Sequence, residues 1–146
     1  NGIAANCSAC FIVTIGIFLS FIHLGDLKTD GSIFAAVALK DINEGTLYID
    51  AWENKPPAIF YLIEVFLLIV PNTVYAVFYL TLSSFLLTSF CLYIIILNNL
   101  KSYSKSILFT ILAIFFTIYG NNIGDGLCTE IYGTLCILIS IVLLIL

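Results

Sequence analysis

The chain has 146 residues, 62% hydrophobic and 10% charged, with a formal net charge of −4. A water-soluble domain has roughly 45–50% apolar and about 25% charged residues. This composition and a mean hydropathy of +1.15 exclude such a domain. They point to an all-α, polytopic transmembrane helical bundle. All five basic residues are lysines, and no basic patch suits nucleic acid.

Residues 7–24 form the first apolar segment, long enough to span a bilayer, with a cleavable signal peptide as the rival reading. Cys7 and Cys10 make a C-x-x-C at its start. Cys91, Cys128 and Cys136 supply no second pair at zinc spacing, so all five cysteines read as small packing residues in lipid. His23, at the outer end of this span, reads as an interfacial residue.

A long polar segment follows, holding Asp26, Lys28, Asp30, Lys40, Asp41, Glu44, Asp50 and Glu53. Within it, residues 32–44 read as a surface helix, capped by Ser32, ended by Gly45, and apolar at Ile33, Phe34, Val37 and Leu39. Residues 57–70 form a second surface helix. Pro56-Pro57 opens it, Pro71-Asn72 closes it, and Glu64 lies in its middle. It is too short for a comfortable span and lies at the interface or tucked against the bundle. The whole stretch 25–72 is the first external loop, with its two juxtamembrane helices. Residues 73–97, 106–119 and 129–146 read as further spans. They are separated by a loop at 98–105 with Lys101 and Lys105, and by a polar loop at 120–128 with Asn121, Asn122 and Asp125.

The loop with Lys101 and Lys105 is purely basic and goes to the cytoplasm by the positive-inside bias. Alternation then turns residues 25–54 and 120–128 outward. On that side Asp30, Asp50, Glu53, Lys55, Asp125 and Glu130 could converge on one extracytoplasmic site. The chain has no Met, starts at Asn1 and ends in Ile-Val-Leu-Leu-Ile-Leu. It therefore reads as a fragment cut inside or just after a membrane span.

Three motifs carry a resemblance. Asp30-Gly-Ser-Ile-Phe-Ala-Ala is followed by Glu44-Gly-Thr-Leu-Tyr48-Ile-Asp50 and then by Asn54-Lys55-Pro56-Pro57-Ala-Ile-Phe-Tyr61-Leu. In this order they resemble the first external loop of GT-C class membrane glycosyltransferases. The nearest likeness is to the family 39-like bacterial enzymes, relatives of protein O-mannosyltransferases and lipid A aminoarabinose transferases. Those chains have an Asp after the first span, a surface helix, a Gly-x-x-Tyr-x-Asp and a Lys-Pro-Pro. They often carry a Thr-Glu before the fourth span, as Thr129-Glu130 does here. Many place Glu after the first Asp, where this chain has Gly31. Such enzymes are several times longer, so the fragment would be N-terminal.

The resemblance implies an integral protein of a bacterial inner or cell membrane. It would move a sugar from a polyprenyl-phosphate donor to a lipid, glycan or protein acceptor outside, with inversion. The leaving phosphate is already a stable anion, so one carboxylate acting as general base on the acceptor is enough. This single displacement differs from the two-carboxylate scheme of glycosidases. Asp30 is the candidate base. Lys55 would stabilise the departing phosphate. Asp50, Glu53, Tyr48, Tyr61 and Glu130 complete the candidate binding set. No cofactor is certain, and a divalent metal is possible. Acids near a phosphate could hold a divalent ion, but no ligand cluster is spaced to demand one.

Plainer roles stand beside these. Asp30 could be a solvated loop acid or a helix cap, and Lys55 a headgroup-binding lysine. Asp50 and Glu53 could be ordinary surface acids, Asp125 a turn residue, and Glu130 a favourable charge at a helix start. Tyr48, Trp52 and Tyr61 could anchor at the interface. The rival function is a non-catalytic polytopic membrane protein, such as a transporter half or an assembly subunit. A flippase or ligase handling the same lipids is a third reading.

Overall fold

The structure, a computed structural model, describes residues 29–43, 45–50, 53–120 and 129–145. The expected first span at 7–24, with Cys7, Cys10 and His23, lies outside them, as do Trp52, Asp125 and Cys128. The regular elements are all α-helices: α1 (Thr29–Ile42), α2 (Pro57–Ile69), α3 (Thr73–Leu100), α4 (Tyr103–Gly120) and α5 (Thr129–Ile145). They fall into two compact units.

The first unit runs through α1 and α2 to residue 81 of α3. Helix α1 buries Phe34, Ala35, Val37 and Ala38, an i, i+3, i+4 stripe on one face. Helix α2 buries Ile59, Phe60, Ile63 and Leu67, and the two helices pack together. Of the expected apolar residues, Phe34 and Val37 are buried, whereas Ile33 is 41% exposed. Phe34 meets Phe60 edge-on at 6.0 Å.

The start of α1 also differs from the expected 32–44. The helix begins at Thr29, so Ser32 lies one turn inside it and does not cap it, and Asp30 sits in the first turn. Its far end is closed by Gly45, whose N–H donates to the Lys40 carbonyl at 2.9 Å, the long-range bond of a Schellman-type stop. A Cβ on Gly45 would lie 2.5 Å from that carbonyl oxygen. Close approach is what requires glycine there.

Helix α2 starts at Pro57, with Pro56 in the N-cap position. Its 13 residues span about 20 Å, short of a hydrocarbon core of about 30 Å. Asn72 then caps α3: its Oδ1 accepts from the N–H groups of Val74 and Tyr75 at 3.1 and 3.2 Å.

The second unit holds α3 from residue 82, α4, and α5 from residue 130. Cys91 of α3 clusters with Leu135, Leu138 and Val142 of α5, flanked by Leu92, Ile94 and Ile95. The expected loop at 98–105 shrinks to two residues. Asn99 stays helical by donating its amide to the Ile95 carbonyl at 2.8 Å. Lys101 turns the chain with a φ of 50°, and Lys105 belongs to α4.

Among the described residues one helix, α3, is long and apolar enough to cross a membrane. Its 28 residues reach about 42 Å. Buried residues make up 28% of its apolar window, whereas the core helix of a soluble protein is mostly buried.

Candidate functional site

The polar segment after α1 is a bonded turn. Asp50 donates its N–H to the Thr46 carbonyl at 2.9 Å, and its Oδ2 accepts from the Thr46 N–H at 2.7 Å. The Lys40 ammonium donates to the Asp50 carbonyl. Asp41 Oδ1 accepts from the Leu47 N–H at 3.1 Å. Consecutive residues at the end of α1 thus hold both sides of the turn.

Tyr48 sits at a φ of 68°, a conformation that is uncommon outside glycine. Two contacts fix it. Its hydroxyl donates to the Lys55 carbonyl at 2.6 Å, and its ring lies edge-on to Phe60 at 6.3 Å. Tyr48, a candidate for the binding set or for an interfacial anchor, ties the turn to the Lys-Pro-Pro segment. Glu53 is half-buried, and its Oε1 accepts from the Asn54 N–H at 2.9 Å. Lys55 is half-buried as well. Tyr61 is 51% exposed on α2, where it has no share in the turn.

Two contacts join the helices: Phe34 meets Phe60, and Asp41 meets Glu64. Asp30 lies in the first turn of α1, and Lys40 and Asp41 lie at its other end, about 15 Å away at 1.5 Å per residue. Lys40 holds Asp50 at that end of α1, and Tyr48 of the same turn bonds to the Lys55 carbonyl, so the turn joins the Asp50 segment to the Lys55 segment. Glu130 is the second residue of α5 and belongs to the other unit.

Sequence reasoning passed over Asp41 and its contact with Glu64. Glu64 is half-buried, and its Oε1 is enclosed without a hydrogen-bond partner. Burial, then the Asp41 charge, then the hydrogen bond between the carboxyls push Glu64 above the ordinary carboxylate range. An acid in the middle of an apolar helix was the available signal; its partner on α1 could be found only from the packing. Among the described residues no group of three or more His, Cys, Asp or Glu could hold a metal ion.

Comparison of the chain with protein-family models, curated proteins and solved structures finds no match.

Proposed function

We propose that the protein is a polytopic membrane glycosyltransferase. It moves a sugar from a polyprenyl-phosphate donor to an acceptor on the extracytoplasmic side, with inversion. The observation that carries the reading is that Asp30 and the Lys55-Pro56-Pro57 run open two helices that pack on each other. A base for the acceptor and a cation for the leaving phosphate are needed within one substrate length of each other.

The membrane half of the reading has its own support. Helix α2 leaves Tyr61, Val65, Leu68 and Ile69 exposed on the side away from α1, and only Val70, Pro71 and Asn72 separate it from the long apolar α3. A solvent-facing surface rarely carries such a stripe, whereas a helix lying in the interface does. Helices α4 and α5, of 18 and 17 residues, are shorter apolar helices beside the one long enough to span. Five hydroxyls (Thr81, Ser89, Ser106, Thr110 and Ser140) donate to the carbonyl four residues earlier. That bond satisfies a hydroxyl where no water is at hand.

The test is transfer of radiolabelled sugar from polyprenyl-phosphate donors by the protein in membranes. With Lys55→Ala, donor use should fall roughly 100-fold, the scale of a lost charge-stabilising donor, while dependence on the acceptor stays near wild type. Equal loss for donor and acceptor would contradict the phosphate role. The buried Glu64 contact favours the second reading, a transporter half, since transporters place ionisable groups among apolar helices. Absence of transfer from any donor would move the assignment there.

A further inference from the structure

The geometry points to a proton shared between Glu64 and Asp41 that latches α2 to α1 and, through Asp41, to the turn at residues 45–50. The inference does not rest on the transferase reading.

Two ionised carboxylates are acceptors only and repel each other. Glu64 Oε1 is fully enclosed, with no donor to meet it. A proton on either carboxyl converts one acceptor into a donor and relieves both conditions. Asp41 is the titratable group that faces Glu64 from α1, the helix packed on α2. Lys40, next to Asp41 on α1, directs its ammonium to the Asp50 carbonyl. Tyr61, the other titratable group of α2, lies on the exposed side.

Asp41 gives the pair reach beyond the helix contact. Its Oδ1 also accepts from the Leu47 N–H, so the carboxyl that shares the proton also fixes the turn carrying Tyr48 and Asp50.

The sign of the effect follows by linkage. Glu64 holds its proton more tightly in the folded pair than in the unfolded chain. The stability it contributes is complete below the ordinary carboxylate value of about 4.3. It is lost as pH rises through the raised value. The latch is closed in acid and loosens toward alkaline pH.

The experiment is thermal unfolding of the protein in lipid nanodiscs as a function of pH, wild type against Glu64→Gln, which mimics the protonated acid. The wild-type unfolding temperature should fall as pH rises through the Glu64 titration, and the variant should lose that segment of the profile. A variant with the full wild-type slope would overturn the latch. Should Glu64→Gln fail to fold, the carboxyl carbon resonance of Glu64 in the wild type decides directly. A midpoint above the ordinary glutamate value that drops in Asp41→Asn agrees with a shared proton; a midpoint at the ordinary value refutes it.

Discussion

Gly45 is the residue on which the turn depends. A side chain there would press its Cβ against the Lys40 carbonyl oxygen at 2.5 Å, and that oxygen accepts the bond that ends α1. Gly45→Ala should therefore cost about 1–3 kcal/mol, the range for forcing atoms into a filled space. The loss should appear as faster amide exchange at Leu47 and Asp50, with α3 to α5 unchanged; unaltered exchange would mean that the turn closes by other means. The stop at Gly45 was legible in the sequence, because glycine after a periodic segment is a common helix end. The role of Tyr48 was not. An aromatic in a polar loop reads as a ligand contact, and only its positive φ and its bond to the Lys55 carbonyl reveal a clamp. The bond from the Thr46 N–H to the Asp50 carboxylate was not legible either, because it forms only when the turn closes.

At the scale of elements, Phe60 joins three pieces of chain. It is fully buried and touches Phe34 on α1 and Tyr48 in the turn. Phe60→Ala should cost roughly 3–5 kcal/mol, the usual range for emptying a buried aromatic site. Circular dichroism should record a lower unfolding temperature, and protease should cut the turn at residues 45–50 faster. An unshifted transition with a protected turn would contradict this packing. The start of α2 at Pro57 follows from proline's fixed φ and missing N–H, which can be read directly. The start of α1 at Thr29 was harder to see. Ser32 is a good cap by type, yet the helix runs three residues further because Gly31 and Ala35 continue the buried stripe toward its beginning. The two-residue link between α3 and α4 was hidden for a related reason. Asn98 and Asn99 look like loop residues until the amide of Asn99 bonds back into the helix.

For the whole molecule, composition alone points to a chain at home in lipid, and an all-α architecture agrees with it. What composition cannot give is which polar residues share a place. That depends on tertiary bonds such as Tyr48 to the Lys55 carbonyl, which ties the turn with Asp50 to the start of α2. The account stands or falls on Asp30 as the base. The most direct measurement is sugar transfer from a radiolabelled polyprenyl-phosphate donor by the protein in membranes, wild type against Asp30→Asn, with unfolding followed in parallel. The account predicts a loss of roughly 10²–10⁴-fold, the contribution of a general base, at an unchanged unfolding temperature. Normal turnover by the variant would contradict it.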